Sequence, residues 1–178
     1  MASPIRYDAS PIRAAFERSV EALALRPAKG QGTAVTTVRM TDGLTCEIEE
    51  GPWRLACDMS EKHGGHDAGP NPGVLGRGAL GACLAMSIVR FAAREGVTFT
   101  CLEVEVQADY DARGENGWDD VPPGYGAVRC VVTAESEAPE AEVARVLALA
   151  ERHTPYLDIF RRAIPVACET WILNPQND

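Results

Sequence analysis

Apolar residues at helical spacing predict a helix near the start of the chain. Ser10 is suited to cap it, Pro11 suits its first turn, and Pro27 ends the pattern. The apolar residues that recur at helical spacing are Ile12, Phe16, Val20 and Leu23. We expect residues 1–28 to form an N-terminal arm that carries this amphipathic helix, ahead of a main domain at residues 29–178.

Alternating apolar and polar residues then predict three antiparallel strands. Residues 33–40 are rich in β-branched side chains, and Asp42-Gly43 is typical of a two-residue hairpin turn. The alternation continues over residues 44–49 and, after Gly51-Pro52, over residues 53–59. Short strands joined by tight turns indicate an antiparallel sheet.

A helix that is apolar on nearly every face is predicted from Asn71 to Glu95. Asn71 is a good N-cap, Pro72 suits the first helical position, and Gly96 suits the end. A helix that is apolar all round is buried all round, and a chain this small would cover only one side of it. The pattern therefore predicts that a second copy covers the other side, in an obligate homodimer.

The rest of the chain alternates between strands and helices. We expect strands at residues 97–108, 127–134 and 164–173, with an acidic loop at residues 109–126. A second long helix should follow Ser136 and Pro139 and end at His153, before a short helical turn at residues 156–162. This order of elements favours an α+β fold over a parallel sheet.

Charge and composition narrow the range of partners. The 178 residues include 17 basic and 26 acidic ones, a formal net charge of −9 at pH 7, which disfavours nucleic acid and anionic membrane surfaces. The longest uncharged apolar stretch, Gly78 to Val89, is shorter than the roughly 20 residues of a membrane span. No basic segment followed by an apolar one resembles a secretory signal, so we expect a soluble, cytoplasmic protein.

Six cysteines are expected to be reduced thiols, because the sequence lacks a secretory signal and a C-x-x-C pair. Four of them are in phase with the apolar residues of predicted strands and are expected to fill the core: Cys46, Cys57, Cys130 and Cys168. Cys101 is ambiguous at a strand start. Cys83 alone lies on a helix, where either core packing or chemistry remains open.

Two loops resemble metal-binding motifs, but each lacks a full set of ligands. His63, His66 and Asp67 lack further partners at zinc spacing. The loop from Asp109 resembles a calcium loop, but Arg113 occupies a ligand position. We expect no bound zinc or calcium, and no other cofactor.

The segment from Asp67 to Met86, DAGPNPGVLGRGALGACLAM, resembles the signature of the OsmC-like family, which includes the organic hydroperoxide resistance proteins. Residues 151–156, ERHTPY, are similar to the family's second motif, and the resemblance spans roughly residues 30–175. It implies an OsmC-like α+β fold with antiparallel sheets around a buried central helix. It also implies an intertwined homodimer with sites at the interface.

The resemblance implies a thiol peroxidase in which Cys83 attacks the O–O bond of a hydroperoxide. A second cysteine would then form a disulfide with Cys83, and an external dithiol would reduce it. Asn71, Met86 and His153 lie in the two motifs and would support the pocket.

The sequence departs from this pattern at two positions. Thr154 replaces the resolving cysteine, and Gly73 replaces the glutamate that holds a catalytic arginine in family members, for which Arg39 is the nearest match in order. Cys83 lies eleven residues past Pro72, beyond the reach of the helix dipole. A nearby cation would therefore be needed to lower the pKa of its thiol and stabilise the thiolate. Two functions stay open. The first is peroxide reduction by Cys83, regenerated by an external thiol or by a cysteine that the sequence does not identify. The second is binding or conversion of a small apolar molecule in the interfacial pocket, without peroxidase activity.

Overall fold

The structure is a computed structural model that describes residues 4–173. Within those residues the chain forms five α-helices and five strands in two antiparallel sheets. The helices are α1 (Ala9–Leu25), α2 (Pro72–Glu95), α3 (Ala112–Glu115), α4 (Glu140–Arg152) and α5 (Pro155–Arg161). The strands are β1 (Thr37–Asp42), β2 (Thr45–Glu50), β3 (Trp53–Cys57), β4 (Cys101–Tyr110) and β5 (Tyr125–Glu135). The predicted α+β fold is confirmed.

Helix α2 begins and ends where its capping residues predict. The Asn71 side chain accepts a hydrogen bond from the Val74 amide at 3.0 Å, and Pro72 occupies the first turn. Gly96 ends the helix at φ +78°, a left-handed conformation that glycine adopts without strain.

The first sheet, β1-β2-β3, has one apolar and one polar face. The Asp42-Gly43 turn joins β1 to β2 with Gly43 at φ +54°. Arg39 and Arg54 both form ion pairs with Glu49 on the polar face. The apolar face is largely exposed and carries Val38, Met40, Cys46, Ile48, Leu55 and Cys57.

The second sheet, β4-β5, packs with the helices to form the core. β4 and β5 pair from Cys101↔Glu135 to Tyr110↔Tyr125, and α2 packs against β4, α1, α4 and α5. The buried core residues come from α2, the following connection, α4 and α5: Leu80, Leu84, Ile88, Ala92, Val97, Phe99, Val146, Ala150 and Leu157.

The N-terminal segment packs on the end of α2. Asp8, rather than the predicted Ser10, caps α1 by accepting a hydrogen bond from the Ser10 amide at 2.9 Å. Phe16 is buried and meets Phe91 edge-to-face, with ring centroids 5.3 Å apart. Arg13 Nε donates to the Ala93 carbonyl at 2.6 Å.

Three predictions from the alternation pattern are wrong in the described chain. β1 begins at Thr37 rather than at residue 33, and β4 begins at Cys101 because Val97 still belongs to the buried connection after α2. Residues 164–173 form no strand, since no neighbouring strand pairs with them within residues 4–173. Cys168 is consequently exposed, and Cys46 and Cys130 are only half-buried.

Helix α2 is long and apolar enough to satisfy a composition test for a membrane span. A core helix of a water-soluble protein passes the same test. In this structure α2 packs against three helices and a strand, as a central core helix does.

We predict that Phe16→Ala lowers the free energy of unfolding by about 3 kcal/mol, because the truncation removes a buried ring from its contact with α2. Val20→Ala on the same helix is the matched control. Its side chain is 52% exposed, so its effect should stay below about 1 kcal/mol. Urea denaturation of both variants measures the difference, and equal effects would contradict the packing of α1.

Candidate functional site

Cys83 lies at the edge of the part of α2 that the chain leaves uncovered. Leu80, Leu84 and Ile88 are buried on one side of the helix. The other side carries Gly78, Ala82 and Met86, all exposed, with Met86 at 66%. Cys83 is half-buried between these two sides. Its thiol therefore lies on the border of an open apolar surface.

Arg39, the cation expected for Cys83, is engaged elsewhere in the single chain. It lies on the polar face of the first sheet, where its guanidinium donates to Glu49 at 2.5 Å. The hydrogen bond and charge of Glu49 raise the pKa of Arg39 further. Within the part of the chain that the structure describes, no ion pair or hydrogen bond joins Arg39 to Cys83.

The second motif packs against the C-terminal half of α2. Thr154 is 1% exposed, and its hydroxyl donates to the Ala150 carbonyl at 2.7 Å. The His153 ring lies beside Phe91 of α2, with ring centroids 5.5 Å apart. Thr154 thus stabilises the turn between α4 and α5, and its hydroxyl has no capacity to form a disulfide.

Arg77 is a candidate site residue that was not predicted from the sequence. Its guanidinium donates to the Tyr125 hydroxyl at 2.9 Å. A Cβ on Gly73 would lie 3.1 Å from the Arg77 Nη1, so the position where family members carry glutamate faces an arginine one turn later. The i, i+4 spacing of residues 73 and 77 on a helix was the available signal.

Arg77 lines a cleft of about 390 Å³ at the start of α2. The cleft also contains Asn71, whose side-chain oxygen is used as the helix cap. Its other polar lining residues are Ser60, His63, Tyr110, Asp111, Glu115 and Tyr125.

A second cavity, of about 530 Å³, lies on the buried side of α2. Leu80, Leu84 and Ile88 line it from the helix, and Cys130 lines it from β5. Burial raises the pKa of the Cys130 thiol, although the charge of Arg161 partly opposes this effect. The thiol of this apolar cavity is therefore that of Cys130 and not that of Cys83.

The glycine-rich loop before α2 is organised by one buried carboxylate. Asp58 accepts hydrogen bonds from the Thr45 hydroxyl at 2.9 Å and from three backbone amides, those of Met59, His66 and Ala68. Close packing continues at Gly69, where a Cβ would lie 2.4 Å from the Ala56 carbonyl oxygen. The loop is thereby fixed against β3 and delivers the chain to the cap of α2.

The side chains of the two loops that resemble metal sites contact other side chains of the protein. The Nδ1 atoms of His63 and His66 lie 2.8 and 3.3 Å from the hydroxyls of Ser60 and Thr45, respectively. Asp109 forms an ion pair with Arg129, and Arg113 lowers the pKa of Asp111 to about 2. Among residues 4–173, no group of three or more His, Cys, Asp and Glu side chains is arranged to hold a metal ion.

The family model described as OsmC-like protein matches residues 64–169, more than half of the 178-residue chain. No curated relative matches the chain. An OsmC-like protein from Mycoplasma pneumoniae is similar in structure, with a TM-score of 0.63, 14% identity, and coverage of 74% of this chain and 89% of that one.

Two further solved structures share the fold. The organic hydroperoxide resistance protein OsmC of Legionella pneumophila has a TM-score of 0.52 and 17% identity, and covers 74% of this chain and 92% of its own. A putative osmotic stress induced and detoxification response protein of Psychrobacter arcticus has a TM-score of 0.57 and 16% identity, with coverage of 72% and 88%. At these identities the similarity shows the fold alone.

We predict that Asp58→Asn lowers the melting temperature at pH 7 by roughly 5 °C, because the amide cannot accept all four hydrogen bonds of the carboxylate. Burial opposes ionisation of Asp58, but the hydrogen bonds outweigh it and hold its pKa below the ordinary value. Its contribution is therefore complete above the unfolded pKa of about 4 and is lost as the pH falls through the folded pKa.

The difference between wild type and Asp58→Asn should accordingly shrink as the pH is lowered below about 4. Asp119→Asn, at an exposed position, is the control and should change little at any pH. Thermal melts between pH 7 and pH 3 measure both variants. A difference that stays constant across this range would contradict the role of the ionised carboxylate.

Proposed function

The chain belongs to the OsmC-like protein family, and from that premise we propose that it reduces organic hydroperoxides with the thiol of Cys83. The observation that carries the proposal is the position of this thiol. Cys83 lies in the family motif, on the capped central helix, and is half-buried at the edge of an open apolar surface. A solved structure with the same fold is named an organic hydroperoxide resistance protein, which supports the substrate class.

The reaction needs one cysteine and two electrons. The Cys83 thiolate attacks the terminal peroxide oxygen, the O–O bond breaks, and the leaving alkoxide takes a proton to become an alcohol. Cys83 is left as a sulfenic acid. An external thiol then displaces water from it to form a mixed disulfide, and a second thiol restores Cys83 and leaves as the oxidised disulfide.

The external thiol takes the place of the missing second cysteine. Thr154 is buried and bonded to Ala150, so it cannot reach or reduce the sulfenic acid. A supply of reduced thiols is a property of the cytoplasm, which is the compartment we propose. For Arg39 to act as the activating cation, its guanidinium must break its ion pair with Glu49 and form one with the Cys83 thiolate.

The exposed stripe of α2 is the surface on which we propose that two copies of the chain form a homodimer. Gly78, Ala82 and Met86 form an exposed stripe along α2, whose other side is buried within the chain. Small residues let a second helix approach closely, and covering the stripe would remove apolar surface from water. A second copy placed there would enclose both Cys83 thiols at the interface.

A second candidate function rests on the cavity of about 530 Å³ beside Cys130. Its volume falls within the range of small-molecule sites, and most of its lining is aliphatic. Glu151 and Arg161 form an ion pair among the lining residues. This arrangement favours binding of a small apolar molecule in a protein without peroxidase activity.

Variants of Cys83 and Cys130 separate the two candidates. Under the peroxidase proposal, Cys83→Ser should reduce consumption of an organic hydroperoxide with dithiothreitol to the rate of the reagents alone, since the nucleophile is lost. Cys130→Ser is the matched control and should stay close to the wild-type rate, because its thiol lines the cavity of about 530 Å³, which Cys83 does not line. Arg39→Gln should lower the rate if Arg39 forms the thiolate.

Equal rates for wild type and Cys83→Ser would contradict the peroxidase proposal. The second candidate would then be favoured by an apolar ligand that binds wild type and Cys83→Ser equally well but no longer binds Cys130→Trp, in which the larger side chain fills the cavity. Circular dichroism of each variant verifies that the fold is retained.

We predict that Ala82→Arg raises the dimer dissociation constant by at least about 100-fold, because it places a charge in the middle of the apolar stripe. Ser19→Arg, an exposed position on α1, is the matched control and should leave the dimer intact. Light scattering at micromolar concentration measures the mass of each. A folded wild-type monomer at that concentration would contradict the dimer.

A further inference from the structure

The first sheet carries two thiols directly opposite each other. Cys46 of β2 and Cys57 of β3 are register partners in the antiparallel pair, and both are free. Both side chains lie on the apolar face, because they are in step with Ile48 and Leu55. The phase of each strand alone suggested two separate core residues. The register shows instead that the two cysteines are a cross-strand pair.

The spacing of such a pair is close to that of a disulfide. Directly opposed residues of antiparallel strands have Cβ atoms about 4.5–5.5 Å apart, and a disulfide needs about 3.5–4.5 Å. A shift of about 1 Å or less closes the difference. A disulfide formed here would be reversed by an external dithiol through thiol–disulfide exchange.

We propose that Cys46 and Cys57 form a reversible intrachain disulfide, which makes the first sheet a second redox site of this chain. The site is independent of Cys83 and of the function proposed above. Its oxidant is a small-molecule disulfide of the kind present in every thiol pool.

The exchange takes place in two balanced steps. The Cys46 thiolate attacks one sulfur of the small disulfide and expels one small thiolate, which leaves a mixed disulfide on Cys46. The Cys57 thiolate then attacks the Cys46 sulfur and expels the second small thiolate. Two protein thiols are oxidised and one small disulfide is reduced to two thiols.

Burial decides the order of the two cysteines. Cys46 is half-buried on the central strand, whereas Cys57 is 4% exposed. Burial, together with the neighbouring Cys46 thiol, also raises the pKa of Cys57, so that it is a poor first nucleophile. Cys46 is the thiol that an external reagent reaches, and Cys57 is positioned to attack it afterwards.

The pair is connected to the loop that leads to α2. Cys46 follows Thr45 and Cys57 precedes Asp58, and these neighbours are joined by the 2.9 Å hydrogen bond that anchors the loop. Closing the disulfide would draw β2 and β3 together beside this bond. Its formation should therefore change the exchange protection of the His66 and Ala68 amides, which donate to Asp58.

The test uses the full-length chain with both Cys83→Ser and Cys168→Ser, so that neither the proposed peroxidase thiol nor the exposed Cys168 thiol contributes to the outcome. The protein is incubated with oxidised glutathione, then alkylated and mapped by mass spectrometry. The expected result is loss of two thiols per chain, a peptide linked through Cys46 and Cys57, and full reversal by dithiothreitol. Running the reaction at two protein concentrations distinguishes a linkage within one chain, whose yield does not depend on concentration, from a linkage between chains.

Two further variants identify the roles of the pair. Adding Cys57→Ser should stop the reaction at a Cys46–glutathione mixed disulfide, whereas adding Cys46→Ser should prevent it. Adding Cys101→Ser is the matched control, since Cys101 is buried but faces Glu135 across the strands, and the linked peptide should still form. Mixed disulfide on Cys46 with Cys57 present, linkage of Cys46 to another cysteine, or no loss of thiols at Cys46 would each overturn the proposal.

Discussion

The burial of α2 is the constraint on which the rest of this structure depends. Its apolar residues encircle the helix, but the chain covers only the side that carries Leu80, Leu84 and Ile88. That side forms the core with α1, α4, α5 and the second sheet. The uncovered side leaves Cys83 at the border between the core and an open surface. The fold and the position of the thiol therefore follow from one helix, and the proposed homodimer would cover the side of it that the chain leaves open.

Local signals in the sequence predicted the elements well where they depend on neighbouring residues. The Asn71 cap, the Gly96 stop and the Asp42-Gly43 turn all act within a few residues, and each is confirmed. Strand pairing at residues 164–173 depends on a neighbouring strand that residues 4–173 do not provide, so the pattern there was insufficient. Asp8 displaced Ser10 as cap because both residue types are suited to that position.

The candidate site was only partly predictable for the same reason. The motif predicted the family, which is confirmed, and proposed Cys83 as its thiol, but the surroundings of a thiol depend on contacts between distant segments. Arg39 pairs with Glu49 across two strands, and Arg77 contacts Tyr125, which lies 48 residues later in the chain. Alternation assigned Cys46 and Cys57 to the core one at a time, and only the register showed that they face each other. The six cysteines thus differ in their surroundings, although the sequence pattern placed most of them in similar strand positions.

The central claim is that Cys83 is the reactive thiol and that no cysteine of this chain resolves it rapidly. Brief treatment with substoichiometric organic hydroperoxide, in the presence of a 1,3-dione that traps sulfenic acids, tests it directly by mass spectrometry. We expect that Cys83 is labelled first and that, without the trap, it persists as sulfenic acid or proceeds to sulfinic acid. Uniform, slow oxidation of all six cysteines, unchanged in Cys83→Ser, would contradict it.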